Sequence, residues 1–209
     1  MGYHFLLADP SVYIYVIKLF LLNSCRVLHH PPDAAKTPVP NLTFIDCEIF
    51  EMTDVKSPII IGCDHAAYDL KEKVKAHLKD AGFEVQDAGA HSEASVDYPD
   101  YGIEVAGAVS NGTYERGILI CGTGIGMSMV ANRFPHVRAA LCGDLLAAII
   151  CRQHNNANIL VMGARMVGDV LAMAMVKAWL ETPFEGGRHS GRLQKFDTVD
   201  HIPACTKTS

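Results

Sequence analysis

Residues 117–126 read Gly117-Ile118-Leu119-Ile120-Cys121-Gly122-Thr123-Gly124-Ile125-Gly126, an apolar run that passes without a break into a glycine-rich turn. An unalternating apolar run of this length is what a strand buried on both faces of a parallel sheet requires. The following Met127-Ser128-Met129-Val130-Ala131-Asn132 reads as a helix. The stretch therefore predicts a strand over 118–121, a turn and a helix. Cys121 stands at the carboxyl end of that strand, where the backbone N–H groups of the turn and the positive end of the helix dipole favour negative charge. Such a place suits a thiolate, and it equally suits an anionic ligand.

Working outward, the same alternation recurs. Ile59 to Gly62 reads as strand one, and the next helix sets Leu70, Val74, Leu78 and Ala81 on one face, Lys71, Lys75 and Lys79 on another, and stops at Gly82. Phe83 to Gln86 is expected to be strand two. A helix over Pro99 to Ser110 starts on a proline suited to a first turn and turns Ile103, Val105, Ala106 and Val109 to the core. Arg138 to Cys142 and Asn158 to Met162 read as strands four and five around a helix from Leu145 to Gln153, with Val170 to Leu180 as a last long helix. Short β-branched runs alternating with helices predict an α/β fold, a three-layer, doubly wound (Rossmann-like) sheet of five parallel strands. Ligands of such sheets gather beyond the carboxyl ends of the strands, which singles out Asp64-His65, Cys121 to Gly126 and Gly163-Ala164-Arg165.

The 209 residues suffice for one well-buried core. Lys and Arg total 18 against 23 for Asp and Glu, with no long basic run, so no nucleic-acid surface is expected and any phosphate site must be built locally. The seven cysteines are scattered without a CxxC or Cys/His metal spacing, and the ten histidines are spread out. A reducing, cytoplasmic setting and no metal are expected. The first fifty residues differ from the rest. Val12 to Leu22 is apolar and aromatic, but Lys18 interrupts it, it is shorter than the roughly 20 residues that cross a bilayer, and no basic n-region precedes it. No membrane partner is expected. Residues 1–51 are read as a weakly ordered extension or a consequence of start-site choice, and 52–209 as the folded domain.

Individually the chemistry-bearing residues each have a bland alternative. Gly122, Gly124 and Gly126 miss both the GxGxxG fingerprint and a Walker A loop, so no nucleotide site is supported. The loop can hold one phosphate or an enediolate oxygen, or can be a tight packing turn. Cys121 can be a small buried apolar residue or a base that removes a proton beside a carbonyl. His154, near a helix C-terminus, can merely complement the dipole or act as acid and base on a sugar ring oxygen, with Asn155 donating to an oxyanion. Asp64 can be a helix N-cap and Tyr98 a packed aromatic. Arg188 and Arg192 are four apart, so a helix would put both guanidinium groups on one face, to clamp a phosphate or simply to be solvated.

Taken together, six blocks in order resemble the ribose-5-phosphate isomerase B family, which includes galactose- and allose-6-phosphate isomerases. They are Gly62-Cys63-Asp64-His65, Asp97-Tyr98-Pro99, Ile120 to Gly126, Arg152-Gln153-His154-Asn155, Gly163-Ala164-Arg165 and Gly186-Gly187-Arg188-His189. The resemblance spans about Ile59 to Leu193 and leaves the first 51 or so residues without a counterpart. It implies interconversion of ribose 5-phosphate and ribulose 5-phosphate through a cis-enediolate, without metal or organic cofactor. By that resemblance Cys121 is the base, His154 opens the furanose ring, Thr123 assists with its hydroxyl, and Asp64 and Tyr98 surround the ring and O1. Gly122, Gly124, Gly126 and Asn155 would donate to the enediolate, and His65, Arg165, Arg188 and Arg192 would bind the phosphate. His189 stays open between ring opening and phosphate contact. Homodimers, or dimers of dimers, with sites shared between subunits are also implied. A hexose-6-phosphate isomerase is the nearest rival. A sugar-phosphate sensor without catalysis is a rival of another class, against which the presence of both Cys121 and His154 argues.

Overall fold

The computed structural model describes residues 56–196. The expected extension over 1–51 lies outside the described residues. Five strands, β1 (Ile59–Cys63), β2 (Val85–Gly89), β3 (Arg116–Cys121), β4 (Ala139–Leu141) and β5 (Ile159–Gly163), form one sheet in the order β2-β1-β3-β5-β4. Every pairing is parallel. The helices between them are α1 (Tyr68–Asp80), α2 (Tyr98–Ser110), α3 (Ile125–Ala131), α4 (Leu145–Asn155) and α5 (Asp169–Glu181), followed by a short α6 (Arg188–Leu193). A single 3-10 turn, His65–Ala67, joins β1 to α1.

Strand side chains alternate between two cores, and this makes the three layers. Ile59, Ile61, Ile118, Ile120, Leu160 and Met162 face Leu70, Val74 and Leu78 of α1, Ala148 and Cys151 of α4, and Met175, Val176 and Trp179 of α5. Ile60, Leu119, Ile159 and Val161 face Val105, Ala106 and Val109 of α2 and Met127 and Ala131 of α3. The chain leaves β1 for β2 on one side, while β3 lies on the other. The switch point thus falls between the carboxyl ends of β1 and β3, where Asp64 N–H donates to the Ile120 carbonyl at 3.2 Å.

The sheet and helices follow the sequence pattern, with four local departures. Strand β2 starts at Val85, not Phe83, because Phe83 belongs to the cap of α1: its N–H donates to the Leu78 carbonyl and the Gly82 N–H to that of Lys79, a Schellman arrangement. Ala81, expected in the core, is exposed at that helix end. Ile103 is 50% exposed, since the buried stripe of α2 runs through Gly102, Val105, Ala106 and Val109 and leaves Ile103 one position aside. Lys71, expected on the polar face, is fully buried. Its ammonium donates to both carboxylate oxygens of Asp87 at 2.8 and 2.9 Å and to the Ala90 carbonyl at 2.7 Å. A buried charge demands such a complete shell.

Candidate active site

The carboxyl ends of β1, β3 and β5 bring one group of the expected residues together. Cys121 is 4% exposed, and its Sγ accepts the Gly124 N–H at 3.1 Å. That contact exists because Gly124 has φ of 78°, a left-handed conformation that turns the chain back over the thiol before α3 begins. Thr123 accepts the Ile125 N–H on Oγ1 at 3.3 Å, so its side chain helps start α3. From β5, Ala164 N–H donates to the Cys121 carbonyl at 2.8 Å and Arg165 N–H to that of Gly122 at 3.0 Å. The Arg165 side chain consequently lies against Gly122. Tyr98, the first residue of α2, lays its ring over Gly126.

Asp64 closes this rim from β1. Its side chain caps no helix N–H, contrary to the N-cap alternative, and its Oδ1 is buried with no hydrogen-bond partner. A carboxylate oxygen held that way carries an unpaid desolvation cost, which a ligand donor would relieve. His65 accepts the Val96 N–H on Nδ1 at 3.2 Å, which fixes its ring beside the loop leading to Tyr98.

The remaining expected residues assemble elsewhere. Helix α4 leads from the carboxyl end of β4 to the amino end of β5, so His154 and Asn155 sit beyond the amino ends of the strands. Cys121 pairs with Gly163 at the far end of β5. A five-residue strand is roughly 15 Å long, so within one chain the two groups are separated by the length of the sheet. The three strand-end groups singled out from the sequence thus hold only part of the expected site, and His154, placed from the sequence near a helix C-terminus, lies outside them. His65 and Arg165 are likewise parted from Arg188 and Arg192, although all four were expected to bind phosphate.

At this second group the rings of His154 and His189 stack with centroids 4.3 Å apart and 9° between planes. Glu185 Oε2 lies 3.9 Å from His154 Nε2 and 3.7 Å from His189 Nε2. Arg188 Nε donates to His189 Nε2 at 3.4 Å. Burial and the charges of His154 and Arg188 hold His189 below the ordinary imidazole range. Arg188 and Arg192 share α6 and are exposed. The ligand atoms of His154, Glu185 and His189 lie within 4.8 Å of one another, a spacing a divalent cation can use. Against that, Arg188 occupies the His189 Nε2 lone pair, and stacked rings direct their in-plane lone pairs in parallel. Glu185 was missed as a residue of this group, since it lies in the loop ahead of α6 and no helical spacing announces it. So was Arg152, which is buried, donates to the Ala157 carbonyl at 2.6 Å and thereby braces the turn carrying His154 and Asn155.

The family model described as Ribose/Galactose Isomerase matches residues 59–196. The chain belongs to this family. It is 45% identical over 142 residues to ribose-5-phosphate isomerase B of Escherichia coli, covering 68% of this chain and 95% of that relative. It is 40% identical over 144 residues to D-erythrulose-4-phosphate isomerase of Pectobacterium atrosepticum, covering 68% of this chain and 95% of that one. The solved structure of a ribose 5-phosphate isomerase from Thermotoga maritima superposes with a TM-score of 0.67 at 51% identity, over 68% of this chain and 99% of the other. Family membership carries the doubly wound parallel sheet and an isomerase chemistry with it.

Proposed function

We infer that this family member interconverts ribose 5-phosphate and ribulose 5-phosphate, with Cys121 as the base. The observation that carries the reading is the Cys121 thiol at the end of β3, whose sulfur accepts the Gly124 N–H of the glycine loop, in a chain 45% identical to an enzyme named for that substrate. The Cys121 thiolate removes the proton from C2 of the open-chain aldose. The C–H electron pair forms the C1–C2 double bond, and O1 becomes the enediolate oxygen. N–H groups of Gly122 and Gly126, with the Thr123 hydroxyl, face that charge, while the Gly124 N–H holds the Cys121 sulfur. The O2 hydroxyl proton passes to O1, the proton held by Cys121 returns to C1 and O2 becomes the carbonyl, which yields the ketose, so oxidation at one carbon is balanced by reduction at its neighbour. Asp64 and Tyr98 bound the sugar at the rim.

Ring opening and phosphate binding need His154, Asn155, His189, Arg188 and Arg192, which stand at the other end of the sheet. We therefore assign them to the site of a second copy, making the enzyme a homodimer, or a dimer of dimers, with shared sites. Ile125, Met129, Leu141, Leu145 and Leu146, exposed on α3, β4 and α4, supply apolar surface for such a contact. The activity belongs to residues 52–209. Pentose phosphate metabolism in a reducing cytoplasm fits the substrate and the free thiols Cys63, Cys121, Cys142 and Cys151. Among the described residues no helix is long and apolar enough to cross a membrane.

The Pectobacterium relative favours one second reading, a four-carbon ketose phosphate as substrate. A coupled assay of the purified chain with ribose 5-phosphate, erythrulose 4-phosphate, allose 6-phosphate and galactose 6-phosphate decides between them. The highest kcat/KM is expected for ribose 5-phosphate. A higher value for another sugar reassigns the substrate, and binding without turnover of any of them leaves the sensor.

A further inference from the structure

Cys142 directly follows β4, and Cys151 sits in the middle of α4. Both are buried, at 2% and 8% exposure, and belong to the core layer opposite the one holding Cys121. Their sulfurs lie 3.9 Å apart, with both Cys151 Sγ and, at 3.6 Å, the Ala140 carbonyl within hydrogen-bond reach of the Cys142 thiol. Cys151 also lines a cavity of about 430 Å³ bounded by Val137, Arg138, Ala140, Asn155 and Phe196.

We propose that Cys142 and Cys151 are a peroxide-reactive thiol pair that closes to a disulfide between the end of β4 and the middle of α4. A disulfide needs the sulfurs at about 2.05 Å, a closure that rotation about the two side-chain bonds begins from the observed 3.9 Å. The roles of the two sulfurs differ. The hydrogen bond from Cys142 stabilises negative charge on Cys151 more than burial opposes it, and the adjacent Arg152 adds to that, so the Cys151 thiol is held below its usual range. The same contact, with burial, pushes Cys142 up.

Cys151 is accordingly the attacking sulfur. Its thiolate forms a bond to one oxygen of a hydroperoxide, the O–O bond breaks, and hydroxide leaves, giving a sulfenic acid. That hydroxide takes the Cys142 proton. The Cys142 sulfur then attacks Cys151 Sγ, the S–O bond breaks, and a second hydroxide departs and is protonated. Two thiols lose two electrons and hydrogen peroxide becomes two waters.

The test uses the full-length chain, reduced, freed of reductant and treated with hydrogen peroxide while circular dichroism confirms that it stays folded. Trypsin then isolates residues 139–152, a peptide flanked by Arg138 and ending in Arg152 that contains both cysteines and excludes Cys121. The expected peptide has lost two hydrogens, resists alkylation and recovers both thiols on reduction. Cys142→Ser should instead leave a dimedone-reactive sulfenic acid at Cys151, and Cys151→Ser should slow oxidation of Cys142 by about tenfold or more. The proposal is overturned if the native peptide stays fully alkylatable after Cys121 has been oxidised, or if the internal bond appears only after denaturation.

Discussion

The ring of Tyr98 fills the space that any side chain at position 126 would occupy: a Cβ on Gly126 would stand 2.5 Å from Tyr98 Cζ and 2.8 Å from its hydroxyl oxygen. The start of α2 and the first turn of α3 are thereby interlocked above the Cys121 loop. Gly126→Ala should push Tyr98 off the rim without emptying the core. Thermal stability should fall only slightly while kcat/KM drops about 10- to 100-fold, the cost of misplacing a positioning group by an ångström. Steady-state kinetics beside a melting curve checks this, and unchanged kcat/KM would deny Tyr98 a part in the site.

Cys121→Ala removes the proposed base and leaves the arginines proposed to bind phosphate in place. Turnover should fall by at least about a hundredfold, the lower end of what a positioned base contributes, with sugar-phosphate binding preserved by calorimetry. In deuterated water the unaltered enzyme should place solvent deuterium on the carbon beside the carbonyl, and the variant should not. Exchange persisting in the variant would move the base elsewhere.

The legibility of the chain divides along physical lines. Ile59-Ile60-Ile61, Ile118-Leu119-Ile120 and Ile159-Leu160-Val161 declare buried parallel strands because both of their faces are apolar, a local property of sequence. Lys71 could not be read this way. Its burial depends on Asp87, on a different element, and helical periodicity carries no record of a partner across space. Phe83 misled because a helix-capping hydrophobe and a strand hydrophobe look alike in isolation. The Cys121 rim was legible from motif position, since strand ends and glycine turns are encoded locally. The separation of His154 from Cys121 was implicit in the element order: a helix between two parallel strands must finish at their amino ends, so its C-terminal residues cannot reach the carboxyl-end rim of the same chain.

Asp87 ties Lys71 and Lys75 to the edge of the sheet. Burial alone would raise its pKa, but hydrogen bonds from Lys71 and Lys75 outweigh it and hold the carboxyl at about 2. The folded pKa is therefore depressed, so this contribution is full above the unfolded carboxylate value and is lost as pH falls through about 4 to 2. Asp87→Asn should cost on the order of 3 kcal/mol near neutrality by leaving Lys71 without its main counter-charge. It should also flatten the acid limb of the stability profile in that window. Denaturant melts at a series of pH values measure both, and an acid limb as steep as before would exclude Asp87 as its source.

Replacing Arg188 and Arg192 together with Met should raise KM for ribose 5-phosphate while leaving the proton-transfer groups intact. Charge-assisted contacts to a dianion are worth roughly 1.5 to 3 kcal/mol each, so kcat/KM should fall by about a hundredfold or more. Unphosphorylated ribose should be nearly indifferent to the change. An unaltered KM would make α6 a solvated basic face and leave Arg165 and His65 as the phosphate contacts.

The parting of Cys121 from His154 by the length of the sheet yields the sharpest test of a shared site. Cys121→Ala and His154→Ala are each expected to be inactive on ring-closed ribose 5-phosphate as homodimers, because every site in either lacks one group. When the two are unfolded together and refolded, half of the dimers should be mixed. In a mixed dimer one site combines both lesions, while the other joins an intact Cys121 rim to an intact His154 end. About a quarter of all sites, and so about a quarter of the unaltered activity, should return. Restoration has no source if each chain builds a complete site alone, since neither variant chain carries both groups. Failure to regain activity, with mixed dimers verified by native mass spectrometry, would require Cys121 and His154 to act within one chain, whereas an active His154→Ala homodimer would remove His154 from the site.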